Sequence, residues 1–435
     1  IPATAMLTPD DIVYRAESAD VKAIIATDEE DVCNHILEAK KRLSSVKYYY
    51  CVSERENFIY LKNEIDKGKD VLNVADKPVL SDTMLIYFTS GSEGHPKMVT
   101  HDFKYPLGHI MTAYYWQCVV DDGLHLTLAE TGWAKFSWGQ IYGQWISGTA
   151  VFCYDYHNRF SPADILPLIS KYKITTFCAP STALTFLAGI DWDAYDLSSI
   201  VHATTAGAPL PAEIFTRFLK KTGIEIKEGF GQTESAVITA AFKYIKARPG
   251  SIGYPAPIYD LQLLTENGDE ITEPDKFGEI CIKLKKDQYG LLTGYYKDAE
   301  RTEKCFAGGY YHTGDVASFD ADGYLWFAGR LDNMIKSNGY RISPAEVEGV
   351  LYAHPAVYEC AVSGPKDPVR GQVVKATIVL NKEYLDKANL TLIKEIQQFV
   401  KEKTAPYKYP RIVEFVESLP KTSNGVKIKY GELRK

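Results

Sequence analysis

An apolar strand, Met84-Leu-Ile-Tyr-Phe88, runs into Thr89, Ser90, Gly91, Ser92, Glu93, Gly94, His95, Pro96 and Lys97, a loop of hydroxyls and glycines closed by one lysine. Such a loop suits a phosphate. Gly91 and Gly94 can take φ values that other residues avoid, so backbone N–H groups can converge on an anion while hydroxyls and the ammonium add donors and charge. The same residues also describe an ordinary turn after a strand. The Walker A pattern is excluded, because no Gly-Lys-Ser/Thr follows at its spacing and Pro96 stands where its helix begins.

Four further segments bear reactive types. Glu228-Gly229-Phe230-Gly231-Gln232-Thr233-Glu234 ends a strand with glycines, a ring, a hydroxyl and a carboxylate. The ring can stack on a purine, Thr233 can hydrogen-bond a phosphate oxygen, and Glu234 can hold Mg2+, a hard cation that prefers oxygen. The plain alternative is a turn with a core Phe and a solvated Glu. In Tyr311-His-Thr-Gly-Asp315 a carboxylate follows a glycine, where it can accept from both hydroxyls of a ribose or cap a turn. Gly329-Arg330 offers a fixed-charge donor fork, or an isolated surface arginine. Leu419-Pro-Lys-Thr-Ser-Asn-Gly-Val-Lys427 is a second lysine-bearing loop near the end of the sequence, where basic loops are usually only solvated.

The elements that must position these groups change in texture along the chain. Through the first half, 21–27, 48–52, 174–180, 200–205 and 224–228 read as strands, and 28–42, 162–171 and 212–222 as helices. This alternation predicts parallel sheets covered by helices. From about 236 to 329 strands and turns dominate (236–242, 259–264, 278–285, 324–329, with an Asn267-Gly268 turn), which predicts a β-rich, barrel-like subdomain. After Arg330, Ser343-Pro-Ala-Glu346 reads as a capping box opening a helix to about His354. Strands at 357–363, 373–380 and 412–416 and a helix over 392–403 come next. The expected fold class is α/β: a large N-terminal lobe over 1–331 and a small mobile α+β domain over 332–435, joined at Gly329-Arg-Leu-Asp-Asn333.

At 435 residues, two or three lobes are expected, and 46% hydrophobic with 24% charged residues is a globular composition. A net charge of −7 argues against a nucleic-acid partner bound through phosphate neutralisation. Cys33, Cys51, Cys118, Cys153, Cys178, Cys281, Cys305 and Cys360 are scattered, with no C-x-x-C pair and no clustering with histidine. Neither structural zinc nor a disulfide framework is expected, and the default compartment is the cytoplasm. No transmembrane run or signal peptide is visible. A homo-oligomer is left open.

In this order, the segments resemble the adenylate-forming superfamily over essentially the whole chain. The loop from Thr89 to Lys97 resembles the family's T-S-G-T-x-G-x-P-K, and Gly231-Gln-Thr-Glu234, Thr313-Gly-Asp315, Gly329-Arg-Leu-Asp332 and Pro420-Lys-Thr resemble its later signatures. Ile335-Lys-Ser-Asn-Gly-Tyr-Arg-Ile342, Asp367-Pro-Val-Arg-Gly371, Val373-Val-Lys-Ala376 and Ala405-Pro-Tyr-Lys-Tyr-Pro-Arg411 are most similar to its medium-chain acyl-CoA synthetase branch. The resemblance implies an AMP-forming acid–thiol ligase. A small-molecule carboxylic acid and ATP, with Mg2+, give an enzyme-bound acyl-adenylate and pyrophosphate, and coenzyme A then takes the acyl group and releases AMP.

The resemblance also implies roles. Thr89 to Lys97 grips the β- and γ-phosphates, Thr233 and Glu234 act in catalysis, and Glu234 holds Mg2+. Gly207, Ala208, Pro209 and the Glu228 to Gln232 segment, with Phe230, frame the adenine. Asp315 and Arg330 take the ribose, and Lys427 bridges carboxylate and α-phosphate. Asp332 is the hinge about which the small domain turns, bringing Asn338, Gly339, Tyr340, Arg370, Lys401, Tyr409, Pro410 and Arg411 to coenzyme A. Trp133, Gly231 and Arg341 belong to the acyl pocket, with Phe136, Trp138 and Tyr142 either lining it or forming plain core. Acetate-activating relatives carry tryptophan where Gly231 stands, so a medium-length or aromatic acid is expected here.

Two features depart from the family. Its last loop reads P-K-T-x-x-G-K-I, whereas here Val426 intervenes between Gly425 and Lys427-Ile428; treating Val426 as an insertion restores the register. Ile1-Pro-Ala-Thr-Ala-Met-Leu-Thr8 resembles an internal stretch, so a front section of the first lobe is expected to be missing. Two other readings stay open: an acyl ligase serving a carrier-protein thiol, against which Arg370, Lys401 and Arg411 argue, and a catalytically weak binder of nucleotide or acyl-adenylate.

Overall fold

The computed structural model describes residues 1–68, 77–89, 96–155, 161–208, 210–421 and 428–434. The chain divides into two compact units. The first comprises Ile1–Thr204, Gly231–Val237 and Asp287–Lys304, and the second comprises Thr205–Phe230, Ile238–Lys286 and Cys305–Lys435.

In the first unit the expected parallel pairing is present. Strands Ala23–Ala26, Tyr48–Cys51 and Ile59–Tyr60 run parallel, with Ala23 opposite Tyr48. Helix Pro9–Ser18 starts with a reciprocal cap, in which the Thr8 hydroxyl accepts from Asp11 N–H and the Asp11 carboxylate accepts from Thr8 N–H. Helix Glu30–Lys40 buries Cys33, Ile36 and Ala39 along one face, and this spacing packs it on Ala26, Tyr49 and Cys51. A second parallel set places Leu124–Thr127 between Ala150–Val151 and Thr176–Ala179.

The strand before the glycine loop differs from a buried parallel strand. Thr83–Thr89 pairs antiparallel with Lys97–Asp102, Thr89 facing Lys97, so Lys97 opens the antiparallel partner strand. Leu85 and Tyr87 are buried while their neighbours are partly exposed, so only one face is covered. Gly294–Tyr295 adds a third antiparallel strand beside Lys97–Asp102.

The second unit holds an antiparallel run in the order Asp260–Leu264, Gly278–Lys283, Tyr310–Phe319, Leu325–Arg330, Ser251–Pro255, Thr239–Ala240 and Ile226–Phe230. Among the described residues this is an open series of strands. The strand expected over 236–242 shrinks to Thr239–Ala240 because residues 231–237 are turned into the first unit, where Ala236 N–H donates to Gly290 O and Leu292 N–H to Glu234 O.

Beyond Arg330, Ile335–Ser337 and Tyr340–Ile342 form a hairpin over Asn338-Gly339, both with positive φ (50° and 81°), as a two-residue turn of matching twist requires. Val357–Ser363, Lys375–Leu380 and Ile412–Phe415 make a sheet packed on helices Pro344–Tyr352 and Leu390–Lys403. The latter begins two residues earlier than expected because Asn389 caps it, accepting from Thr391 and Leu392 N–H, and it buries Leu392, Ile396 and Val400. The capping box at Ser343 is only half made. Its hydroxyl accepts from Glu346 N–H, but the Glu346 carboxylate pairs with Lys408 instead. Among the described residues no helix is long and apolar enough to cross a membrane.

Candidate active site

In the first unit Tyr295 gathers two of the expected groups. Its hydroxyl donates to Glu234 Oε1 at 3.0 Å, and the Lys97 ammonium lies 5.6 Å from its ring centroid. The pairing of Tyr295 with Val99 sets this position. Glu234 is half-buried with Oε1 engaged, so a hard oxygen donor is oriented from one side, which fits Mg2+ chemistry. Thr233 is fixed through its carbonyl, which accepts from His101 Nε2 at 2.8 Å. Burial lowers the His101 pKa to about 4, so its ring is neutral at neutral pH and carries its proton on Nε2. His101 also stacks on Tyr105 at 3.7 Å, and Tyr105 packs edge-on to His109 and Tyr142. Trp138 lies parallel to His109, so Trp138 and Tyr142 belong to one aromatic stack. Trp133 is half-buried at the N-cap of helix Ala134–Gln140. Ser90, Gly91, Ser92, Glu93, Gly94 and His95 lie outside the described residues, whereas Thr89 and Pro96 flank them, and Pro96 O accepts from the Tyr14 hydroxyl.

In the second unit the nucleotide-facing candidates sit at strand ends. Phe230 closes Ile226–Phe230 and packs 5.6 Å from Phe327, and buried Gly229 lies opposite Ala240. Gly207 takes φ +107°, a conformation that disfavours any side chain, and both it and Ala208 are exposed; Pro209 lies outside the described residues. Asp315 is buried opposite Arg330, whose Nη1 donates to Asp315 Oδ2 at 3.3 Å and to Thr313 O at 3.0 Å. The ladder to Gly278–Lys283 is irregular at Thr313-Gly314-Asp315, and such bulges re-aim side chains. Glu279 holds that turn, its Oε1 accepting from Gly314 N–H at 2.8 Å.

Glu228 is buried, and among the described residues Leu210 N–H donates to its Oε2 at 3.2 Å. Desolvation therefore raises its pKa to about 8, partly opposed by that hydrogen bond. The folded state favours the neutral acid, so this stability is complete below the unfolded pKa of 4.5 and is lost as pH rises toward about 8. Glu228→Gln removes the penalty. Its unfolding free energy should gain on the wild type steadily from about pH 5 to about pH 8, by at most on the order of 5 kcal/mol. A constant difference across that range would contradict the assignment.

The remaining candidates lie beyond Arg330. Asp332 is exposed in the turn Leu331–Asn333, where Arg434 Nη2 donates to its carbonyl at 2.6 Å. Asn338 N–H donates to Arg370 O, and Tyr340 stacks on Tyr407 with centroids 4.1 Å apart. Lys401 and Arg411 flank the Tyr409 ring at 4.2 and 5.0 Å, and Pro410 is buried beside them. The fold thus joins Asn338, Gly339, Tyr340 and Arg370 in one group and Lys401, Tyr409, Pro410 and Arg411 in another. Of Arg341 only the backbone is described, as part of the strand Tyr340–Ile342. Lys427 lies outside the described residues, but its loop has a fixed base. Lys421 bridges Ile428 antiparallel, Lys429 N–H donates to Pro420 O, and Lys421 Nζ pairs with Glu359 at 2.7 Å.

Sequence reasoning missed Tyr295, His101 and Glu279. The aromatic pair after Gly294 was the available signal for Tyr295; a single histidine inside a mixed strand gave none for His101. One expectation is corrected outright: Cys281 does meet a histidine, its Sγ lying 3.4 Å from His312 Nδ1, because the two face each other across the ladder.

Residues 1–296 match the AMP-binding enzyme family, and residues 346–425 its C-terminal domain. The chain belongs to this family. It is 40% identical over 437 residues to the acyl-coenzyme A synthetase ACSM3, mitochondrial, of Mus musculus, covering 100% of this chain and 75% of that protein. It is 37% identical to 4-hydroxybutyrate–CoA ligase 1 of Metallosphaera sedula, covering 100% and 75%. The structure of the anthranilate CoA ligase AuaEII in complex with anthranoyl-AMP superposes with a TM-score of 0.85 at 28% identity, covering 99% of this chain and 80% of that one.

Proposed function

We propose that this chain is an acyl-CoA synthetase for a medium-length or aromatic carboxylic acid, acting in the cytoplasm, with a medium-length acid placing it in fatty acid metabolism. The reaction class is that of an AMP-forming acid–thiol ligase using ATP and coenzyme A. The observation that carries it is the match, over the whole of this chain and 75% of each relative, to an acyl-coenzyme A synthetase and a 4-hydroxybutyrate–CoA ligase. The eight cysteines, none in a disulfide, suit a reducing compartment.

A carboxylate is a poor acyl donor. Its oxygen attacks the α-phosphorus of ATP, and pyrophosphate leaves, provided that negative charge is balanced across the phosphates. In the proposed assignment Lys97 and the Thr89 loop hold the β- and γ-phosphates, Glu234 holds Mg2+, and Lys427 binds carboxylate and α-phosphate together. Bound Mg2+ supplies charge neutralisation on the triphosphate. Phe230 and Gly207 frame adenine, and Asp315 with Arg330 takes the ribose. A turn of the small domain about Asp332 then presents the Asn338 hairpin for the second step, in which the coenzyme A sulfur bonds the acyl carbon and AMP departs.

The size of the acid rests on Gly231. A Cβ there would lie 3.0 Å from Ala236 O and 3.4 Å from Val237 Cα, so any side chain presses on backbone close to Glu234. Gly231→Trp therefore lowers the overall rate, and the informative quantity is the ratio of kcat/KM values across a panel of acids. Pyrophosphate exchange and thioester release should show preference shifting toward acetate or propionate by about tenfold or more. Unchanged selectivity would sink the size argument, and absence of acid-dependent exchange in the wild type would sink the function.

A further inference from the structure

We propose a zinc site, separate from the nucleotide-binding groups, formed by Cys281, His312 and Glu279 on one face of the ladder between Gly278–Lys283 and Tyr310–Phe319. His312 Nδ1 lies 2.9 Å from Glu279 Oε2 and 3.4 Å from Cys281 Sγ, and all three ligand atoms lie within 4.8 Å of one another, so small side-chain rotations bring them to the roughly 3.3–3.8 Å separations of ligands on one tetrahedral ion. Cys281 and His312 are direct register partners, and Glu279 stands two residues before Cys281 on the same strand. The ladder therefore holds the set together before any ion arrives.

The hydrogen bonding of the ring points to a cation. His312 Nε2 faces the Ala307 carbonyl at 3.3 Å, and Nδ1 faces Glu279 Oε2 at 2.9 Å. Both partners only accept. A neutral imidazole has one N–H, so it satisfies one of them and sets a lone pair against the other. Either a second ring proton or a divalent cation at Nδ1 resolves this; with the cation, the ring donates from Nε2 to Ala307 while Nδ1 and Oε2 both bind the ion. Metal-bound histidines commonly have their second nitrogen tied to a carbonyl in this way. The carboxylate is likewise oriented from behind, since Oε1 already accepts from Gly314 N–H at 2.8 Å.

The donor types select the metal. One sulfur, one imidazole nitrogen and one carboxylate oxygen suit Zn2+, whereas Mg2+ prefers an all-oxygen shell. On binding, the Cys281 S–H bond breaks, its proton passes to solvent and the sulfur bonds the ion. Water takes the fourth position. The buried thiol lies at the inner side, and the His312 side chain, 31% exposed, leaves a way in. The ion would also pin Glu279 against the turn that carries Asp315.

The test uses the full chain stripped with a chelator. Zn2+ affinity is read by competition with a chromophoric chelator, and Co2+ is added separately to look for thiolate-to-cobalt charge transfer. The expected result is one equivalent of Zn2+, a charge-transfer band that vanishes in Cys281→Ser, and affinity at least about tenfold lower in both Cys281→Ser and His312→Gln. His312→Gln alters a partly exposed side chain, so it gives a reading even if the buried cysteine variant folds poorly. No binding, no thiolate band, or affinity unchanged in His312→Gln would overturn the proposal.

Discussion

Lys427→Ala should lower acid-dependent ATP–pyrophosphate exchange by about two to three orders of magnitude, the loss expected on removal of one preorganised charge donor. Thioester formation from pre-formed acyl-adenylate and coenzyme A should keep most of its rate if, as proposed, the small domain turns about Asp332 between the two steps. The choice of Lys427 over position 426 gains support from the base of the loop. Lys421 bridges Ile428, so counting backward from this fixed point leaves Lys427 directly before the isoleucine, as in the family's K-I pair. Val426→Ala should be nearly silent in both half-reactions. The exchange Val426→Lys with Lys427→Val moves the charge by one position and should recover little activity, since a displacement of about 1 Å already costs about a hundredfold. Full exchange activity in Lys427→Ala would remove the residue from the mechanism.

Glu234→Gln is the second large effect. The amide keeps an oxygen that accepts from the Tyr295 hydroxyl, so the local fold and the melting temperature should hold while the negative charge is lost. Exchange should fall by about a hundredfold, and the Mg2+ concentration for half-maximal rate should rise. Tyr295→Phe separates the two functions of this contact. It removes the orienting donor while leaving the carboxylate charged, so its loss should be smaller. Equal Mg2+ dependence in the wild type and Glu234→Gln would place the ion elsewhere.

The features legible in the sequence were local ones. The helices over 212–222 and 28–42, the strands at 21–27 and 48–52 and the parallel sense of those strands all arise from period and alternation. Long-range pairing was not legible. Gly294–Tyr295 laid beside Lys97–Asp102 joins residues nearly two hundred positions apart. Tyr295 therefore escaped notice although it touches Glu234. The same limit hid Cys281 against His312, thirty-one residues apart and adjacent only across a ladder. In the candidate site, motif order identified Glu234, Asp315 and Arg330. The residues that hold Thr233, Glu234 and the turn before Asp315, namely His101, Tyr295 and Glu279, carry no motif of their own.

The base of the last loop has a meaning beyond this chain. Ile428 and Lys421 face each other, Leu433 is buried with Leu419 and Ala361, and the Tyr430 hydroxyl donates to Glu348 Oε1 at 2.9 Å. These ties fix residues 428–434 independently of how many residues the loop contains. A lineage can therefore gain or lose a residue at this point without disturbing the packing of the segment beyond it. Insertion at such a place becomes a heritable way to adjust the reach of one side chain, open to selection on activity and nearly invisible to selection on stability.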